Sequence, residues 1–278
     1  MYAFSIDVRS RCLAAAALLA VVLSACGSGP QHSTGPARSK KALSPLPPPG
    51  RGGPAGARAV AFRADDGLGL RGRLFGQGEA AVVLAHMGGA ANNEADWYPL
   101  ARRLAHEGYM VLTYNRRGVC SKAKSKYDCS AGIDDYPTSW QDVVGAVRFV
   151  RTRGARSVAV AGASIGGTSA VYAAATGKIQ PTALISLAGI NYISTYSLDE
   201  PGLRRIGGAK LFISASGDAD GGARSARQWN AWAEEPKRLV LLDSERHGTE
   251  MLGDQQPTRV PLTSLIVRFL RSSMPPDS

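Results

Sequence analysis

SVAVAGASIGGTSAVYAAA, residues 157–175, is the stretch of this sequence that decides the fold. Its apolar run 158–161 is typical of a buried strand. A sharp turn follows at 162–167, and the small residues 168–176 predict a helix. A strand, a G-x-S-x-G turn and a helix in this order hold one serine, Ser164, at the carboxyl end of the strand and clear of the backbone. The alternative is a glycine-rich turn between a strand and a helix in some other α/β fold.

Short apolar runs alternate with helical patterns on both sides of this stretch. The predicted strands are 59–63, 68–75, 80–85, 109–114, 158–161, 183–187, 210–214 and 239–242, and the predicted helices are 93–106, 139–150, 168–176, 222–232 and 261–270. Ser139 and Asp142 are spaced like a capping box at the start of the second helix. Repeated β–α units predict an α/β fold with a mainly parallel sheet covered by helices on both faces.

The first 25 residues are typical of a signal peptide. Arg9 and Arg11 precede an apolar run, 12–23, that is too short to span a hydrocarbon core, which needs about 20 residues. The run is followed by Leu-Ser-Ala-Cys, which resembles the lipobox of bacterial lipoproteins and implies that Cys26 is lipidated and becomes the first mature residue. The alternative is an ordinary secretory signal in which Cys26 plays no part.

Residues 26–58 are predicted to form a tether, because Gly, Ser and Pro dominate and there is little to bury. The segment carries five basic residues and no acidic one, within a chain whose formal net charge is +11. The basic residues of the tether are explained by a position beside an anionic membrane. No interleaving of basic and aromatic residues points to nucleic acid. The remaining residues, 59–278, are enough for one α/β domain, which we expect to be a monomer.

A serine hydroxyl is a poor nucleophile, so a catalytic Ser164 needs a base. The chain has four histidines, of which His32 lies in the tether and His106 lies near a predicted helix end. His247 follows the last predicted strand, in a loop that can reach the sheet edge, and is the predicted base. His86, the other remaining histidine, follows the predicted strand 80–85.

The base needs a buried carboxylate that fixes its tautomer. Asp218 follows the predicted strand 210–214 and is preferred to Asp220, because it lies nearer the strand end where a rigid site is built. The resulting chain order is Ser164, Asp218, His247, which is the order expected for a serine presented by such a turn.

An oxyanion that develops on a substrate needs two backbone donors. One is the amide of the residue after the nucleophile, Ile165, and the other is expected from the loop His86-Met87-Gly88-Gly89, where we favour the amide of Gly88. In the alternative interpretation this loop is a glycine turn in which His86 is merely hydrogen-bonded to backbone.

Taken together, 59–278 resembles the α/β-hydrolases, and most of all the small esterases and the dienelactone-hydrolase-like members. The resemblance rests on His86-Met87-Gly88-Gly89 for the family's H-G-x loop, on 162–166 for its serine turn, on Asp218 and His247 for its acid and base, and on Asn115-Arg116-Arg117-Gly118 for its D-x-R-G. It implies an α/β-hydrolase fold with this catalytic triad. It implies no cofactor, and no ligand-spaced cluster of His and Cys suggests a metal.

Two departures from the family pattern stand out. Met87 replaces the usual Gly and is expected to narrow the acyl pocket, and Ser164 stands where dienelactone hydrolases have Cys, which favours an esterase. About 22 residues, 188–209, lie between two predicted strands where relatives insert a lid. They exclude a full cap domain, although Tyr192, Ile193, Tyr196 and Leu198 can form a small helical flap.

Cys120 and Cys129 are the two cysteines that remain once the signal is removed and Cys26 is lipidated. They flank a polar loop, and an extracytoplasmic location permits oxidation, so we expect a disulfide rather than two free thiols.

The resulting hypothesis is a serine hydrolase of small-molecule or lipid esters, held by lipid on the outer side of the cytoplasmic membrane. The alternatives are an envelope acyltransferase with the same triad and a non-catalytic binding lipoprotein on a hydrolase scaffold.

Overall fold

The computed structural model describes residues 45–47, 53–121, 128–191, 195–196, 198–253 and 261–276. Its strands are β1 Ala57–Arg63, β2 Gly69–Phe75, β3 Ala80–Ala85, β4 Met110–Asn115, β5 Ser157–Ala163, β6 Ala183–Leu187, β7 Ala209–Ala215 and β8 Lys237–Leu242. Its α-helices are α1 Tyr98–His106, α2 Trp140–Thr152, α3 Ile165–Ala175, α4 Glu200–Arg204, α5 Gly222–Trp232 and α6 Leu262–Ser273. Short 3₁₀ helices lie at Glu94–Trp97, Tyr136–Thr138 and Gly248–Gly253.

The strands form one eight-stranded sheet in the order β1-β2-β4-β3-β5-β6-β7-β8. β2 pairs antiparallel with both β1 and β4, and the other neighbours are parallel, which confirms the mainly parallel sheet. The carboxyl ends of β3 to β8 therefore meet at one edge of the sheet. Ala85 pairs there with both Tyr114 and Gly162, and Ala215 pairs with Leu242. Loops that follow these six strands are brought together at this edge.

Helices cover both faces of the sheet, as expected. α1 and α6 pack on one face, and α2, α3, α4 and α5 pack on the other. The central strands are buried on both sides, which explains why β3 reads as an unbroken apolar run and β6 is apolar except at Ser186. In α2 the side chains of Val143, Val147 and Val150 recur at helical spacing and enter the core.

Two expected helix starts are different in the structure. The proposed capping box at Ser139 and Asp142 is wrong. The Ser139 hydroxyl donates to the Tyr136 carbonyl, and the Asp142 carboxylate accepts hydrogen bonds from the Arg117 guanidinium. The predicted helix 93–106 is a 3₁₀ turn followed by α1. Its capping box belongs to Asn93 and Asp96, which each bond the other's backbone. Arg117, a tertiary partner, therefore takes the Asp142 carboxylate from the expected cap, whereas the cap at Asn93 is local.

The segment between β6 and β7 is short, which agrees with the absence of a large cap. Of the proposed flap residues, Tyr192 and Ile193 lie outside the described residues, whereas Tyr196 and Leu198 are buried. The Tyr196 ring stacks on Tyr172 with centroids 4.3 Å apart, so this side chain packs into the domain. The helix that follows, α4, has only five residues.

The predicted signal peptide, Cys26 and most of the predicted tether, up to residue 44, lie outside the described residues. All of the fold above belongs to the compact unit Leu43–Ser278. Leu46, from the predicted tether, lies close to Gly69 at the start of β2. Within the part of the chain that the structure describes, no helix combines the length and the apolar character needed to cross a membrane.

Candidate active site

Ser164 lies in the turn between β5 and α3, with backbone angles φ 48° and ψ −118°. A non-glycine residue rarely adopts a positive φ, so the backbone is strained here. The Ser164 amide donates to the Leu187 carbonyl at 2.8 Å, and its carbonyl accepts from the Thr168 amide at 2.9 Å. Gly166 allows α3 to approach β3, because a Cβ at this position would collide with the Ala85 carbonyl oxygen. The turn thus holds Ser164 at the end of β5.

His247, which follows β8, is paired with Asp218, which follows β7. The His247 Nδ1 atom lies 3.0 and 2.9 Å from the two carboxylate oxygens of Asp218. An ionised carboxylate only accepts hydrogen bonds, so Nδ1 donates and the neutral ring keeps Nε2 free to take a proton. The Asp218 carboxylate is buried and also accepts from the Ser214 hydroxyl at 3.3 Å and from the Asp220 amide at 3.0 Å. This is the arrangement that a histidine base requires.

Asp220, the rival acid, lies farther from the imidazole. Its Oδ2 is 3.6 Å from His247 Nδ1, and its side chain is 66% exposed, against 1% for Asp218. Asp218, Asp220 and His247 could also hold a metal ion, since their ligand atoms lie within 4.8 Å of one another.

A cavity of about 370 Å³ lies over Ser164. It is lined by Met87, Gly88, Asn92, Tyr136, Ser164, Ile165, Ile190, Asp220, His247 and Glu250. Among the described residues, no hydrogen bond joins the Ser164 hydroxyl to the imidazole. Such contacts often form only when a substrate is bound. The predicted nucleophile and base therefore face one cavity.

The two predicted oxyanion donors, Gly88 and Ile165, both line this cavity. Neither amide donates a hydrogen bond to a described residue. A Cβ at Gly88 would lie 2.6 Å from the Tyr136 hydroxyl, so a side chain there would require Tyr136 to move.

The surroundings of His86 differ from those of a catalytic base. Its ring is buried, and burial, followed by the nearby charge of Arg116, lowers its pKa to about 3. Its Nε2 accepts from the Arg116 amide at 3.1 Å, so the neutral ring carries its proton on Nδ1 and donates it to the Met87 carbonyl at 2.8 Å. His86 is therefore hydrogen-bonded to backbone on both sides and is not a second base for Ser164.

Met87 lies where the sequence predicted a narrowed pocket. Its side chain is buried in the cavity wall, and its sulfur accepts a hydrogen bond from the Thr249 hydroxyl at 3.3 Å.

Several lining residues were not found from the sequence. Tyr136, Asn92, Ile190 and Glu250 come from loops and short 3₁₀ segments, which carry no periodic pattern. Asn92 and Tyr136 nevertheless brace the loop 86–89: the Asn92 amide donates to the Gly88 carbonyl, and the Tyr136 hydroxyl accepts from the Gly89 amide at 3.1 Å. Only the folded chain brings these residues to Ser164.

The predicted disulfide is confirmed: Cys120 and Cys129 are bonded and also form an antiparallel bridge of the backbone. Next to it, Asp128 pairs with the buried Arg73 at 2.8 Å. The disulfide therefore lies beside a residue, Asp128, that is attached to β2 through Arg73.

Comparisons with known proteins agree with this fold. A family model described as "Alpha/beta hydrolase family" matches residues 82–275. An esterase from Pyrococcus furiosus is 16% identical with a TM-score of 0.59, over 82% of this chain and 97% of that chain. An esterase from Exiguobacterium antarcticum is 18% identical with a TM-score of 0.58, over 77% and 100% of the two chains. A protein from Xanthomonas campestris, described as a serine hydrolase without a lid, is 19% identical with a TM-score of 0.51, over 69% and 86%. At these identities the structural likeness concerns the fold.

Proposed function

Because the chain belongs to the alpha/beta hydrolase family, we propose that it is a serine hydrolase that cleaves carboxylic esters through an acyl-enzyme at Ser164. The observation that carries the proposal is the buried Asp218 carboxylate paired with His247 beside the cavity of the strained Ser164. The names of the structural relatives, two of them esterases, agree with it.

In the proposed reaction, His247 Nε2 takes the proton of Ser164 Oγ as the oxygen attacks the ester carbonyl. The negative charge that develops on the carbonyl oxygen is stabilised by the amides of Gly88 and Ile165. The His247 imidazolium, which Asp218 stabilises, then protonates the leaving alcohol. Water repeats the sequence on the acyl-enzyme and releases the acid.

The cavity favours a small acyl or alcohol group. Its volume of about 370 Å³ is near the lower end for ligand sites, and Met87, Ile165 and Ile190 supply apolar walls. With no large cap over the site, the rest of a substrate can extend into solvent.

We also propose that Cys26 carries the lipid that holds this domain at the outer side of the cytoplasmic membrane. The support is the short apolar run 12–23 followed by Leu-Ser-Ala-Cys. More than one acyl chain is needed for stable anchoring, since each buried methylene contributes only about 0.8 kcal/mol.

The proposal is tested with Ser164→Ala. Hydrolysis of p-nitrophenyl butyrate should fall by on the order of 10³-fold or more, and covalent labelling by a fluorophosphonate should be lost. Ser169→Ala, a second buried serine whose Oγ bonds the Ser139 hydroxyl, is the matched control and should keep both. Wild-type turnover in Ser164→Ala would refute the mechanism, and an unlabelled, inactive wild type would favour a non-catalytic binding protein.

A further inference from the structure

The peptide bond between Met87 and Gly88 is held by two donors on its carbonyl oxygen. Arg116 Nη1 donates to the Met87 oxygen at 2.7 Å, and His86 Nδ1 donates to it at 2.8 Å. In a trans peptide the N–H points away from the carbonyl of the same planar unit. Fixing the Met87 oxygen therefore fixes the direction of the Gly88 N–H, which belongs to a residue of the cavity wall.

Arg116 is itself held on several sides. Its Nε and Nη2 donate to the two carboxylate oxygens of Asp134 at 2.8 and 2.6 Å, and its own amide donates to His86 Nε2 at 3.1 Å. The Tyr136 ring lies 5.2 Å from the guanidinium carbon. The Arg116 side chain is only 4% exposed. Because the guanidinium is buried and its pair with Asp134 is bidentate, the Arg116 side chain is left one geometry.

We propose that Arg116 is a positioning residue of the oxyanion hole, acting on the Gly88 amide through the carbonyl of Met87. This inference rests on the proposed function, since it needs an oxyanion at Gly88. The contact with Arg116 both aims the N–H and polarises the peptide, because a cationic donor on the carbonyl draws electron density from the amide nitrogen. A more polarised N–H is a stronger donor to a negative oxygen.

The position of Arg116 in the chain makes this inference specific. In Asn115-Arg116-Arg117-Gly118 it is the neighbouring Arg117 that matches the family's arginine. Arg117 turns away, pairing with Asp142 at 2.7 Å and with Asp66 at 3.1 Å. Two adjacent buried arginines therefore perform different tasks, one in the structure of the domain and one behind the oxyanion loop.

Arg116→Lys is the first test. A lysine can donate to the Met87 carbonyl but cannot hold Asp134 in a bidentate manner, so the peptide loses part of its restraint. We expect kcat on p-nitrophenyl butyrate to fall by about 10- to 100-fold with KM changed less than threefold, below the 10²–10³ lost when an oxyanion donor is removed outright. Asp134→Asn, at a partly exposed site, should cause a smaller loss of the same kind.

Two ketones separate positioning from general damage. A trifluoromethyl ketone forms a hemiketal oxyanion with the serine, whereas the matching methyl ketone binds without it. The Ki of the trifluoromethyl ketone should rise in parallel with the loss of kcat, and the Ki of the methyl ketone should stay within threefold. Arg117→Lys is the matched control: it keeps the charge but loses the paired guanidinium hydrogen bonds to the buried Asp142, and should lower Tm while kcat per folded molecule is retained.

Equal losses for both ketones, or a wild-type kcat in Arg116→Lys, would overturn the inference while leaving the proposed function intact. Failure of the wild type to react at Ser164 would overturn the proposed function and, with it, the role of Arg116 toward an oxyanion. The amide proton resonance of Gly88 in free protein tests the contact itself, without any reaction. Arg116→Lys should move this resonance upfield because the peptide is less polarised, and an unmoved resonance would refute the polarisation of the Gly88 amide by Arg116.

Discussion

Two carboxylates lie near one imidazole, and their burial separates their roles. Asp218 is held by Ser214 and by a backbone amide, so it cannot turn away from His247. Asp220 extends toward solvent, where its charge is screened. The buried partner sets the tautomer, and the exposed one adds only a weak field at the mouth of the cavity.

Asp218→Asn is expected to lower kcat by about 10⁴-fold, because an amide there can hold the wrong tautomer of His247. Asp220→Asn should cost less than tenfold. Steady-state kinetics on p-nitrophenyl butyrate compares the two, and circular dichroism checks that both fold. A larger loss in Asp220→Asn would reverse the assignment.

Charge at the cavity should also select substrates. Among the described residues of the lining, Asp220 and Glu250 are the two acidic ones, and no lysine or arginine is among them. We expect an ester with a free carboxylate in its acyl group to be hydrolysed several-fold less efficiently than a neutral ester of equal length. The preference is measured as the kcat/KM of the neutral ester divided by that of the charged ester. This ratio should be smaller in Glu250→Gln, and salt should lower it in the wild type because exposed charges are screened. An unchanged ratio in both experiments would contradict this.

A buried carboxyl group outside the site, Glu94, should make stability depend on pH. Burial raises its pKa from 4.5 to about 7, opposed by the charge of Arg73 and by the Thr113 hydroxyl that donates to it at 3.0 Å. The folded state then binds more protons than the unfolded state between these values, so the Glu94 contribution is favourable at low pH and is lost as pH rises through about 7.

Glu94→Gln should remove this dependence. The free energy of unfolding of the variant relative to wild type should grow by up to about 3 kcal/mol between pH 4 and pH 8. Urea unfolding at the two pH values measures it. The opposite dependence of His86, whose lowered pKa costs stability as pH falls from 6.5 toward about 3, is common to both proteins and cancels in the difference. Exposed Glu234→Gln should show no such growth.

Among the elements, the segment 128–134, which begins at the Cys120–Cys129 disulfide, contacts β2, the end of β4 and Arg116. The Ser130 hydroxyl donates to the Asn115 carbonyl at the end of β4 and accepts from the Arg71 amide of β2 at 3.0 Å. Asp128 pairs with Arg73, also of β2. The chain then continues to Asp134, which holds Arg116. The segment 128–134 thus holds β2 and the end of β4 together and, through the pair of Asp134 with Arg116, supports the loop 86–89.

Replacing both cysteines by serine should lower the free energy of unfolding by about 2–3 kcal/mol, the chain-entropy value for a short loop. Urea unfolding with and without a reductant measures the change. The reductant should destabilise the wild type by a similar amount and leave the double variant unchanged. Equal stability of the oxidised wild type and the variant would show that the bond is not stabilising.

On the scale of the whole molecule, the predicted anchor determines which esters the domain meets. A basic tether on the order of 30 Å long would let the cavity reach a layer of that depth beside the bilayer. Envelope lipids and incoming esters would both lie within it.

The full-length protein should fractionate with membranes and enter the detergent phase of a phase-separation assay. Cys26→Ala should leave an uncleaved precursor or a soluble product whose domain keeps its esterase activity. Cys12→Ala is the control, because Cys12 would leave with the signal peptide. Recovery of the wild type in the aqueous phase, with an unmodified thiol at Cys26, would refute the anchor and leave the triad untouched.

The sequence by itself determined the strand, turn and helix around Ser164 and the alternation of strands and helices that makes a parallel sheet. It also supplied the candidates for the proposed triad, which are Ser164, His247 and either Asp218 or Asp220. β6 and α5 have the predicted bounds, because each is a local apolar or amphipathic run between clear turn signals. The predicted pairing of Cys120 with Cys129 followed from having two cysteines on either side of one loop.

Only the tertiary structure showed that Asp218, and not Asp220, is the buried carboxylate beside His247, gave the Ser139 hydroxyl its partner Ser169, and brought Tyr136, Asn92 and Glu250 to the cavity. It also assigned Arg116 and Arg117 to opposite partners, although they are neighbours of the same type. Periodicity reports which face of an element is apolar, and it does so within a few residues of chain. Burial, ion pairing and the direction of a peptide N–H depend on groups tens of residues apart, which meet only after the sheet has formed.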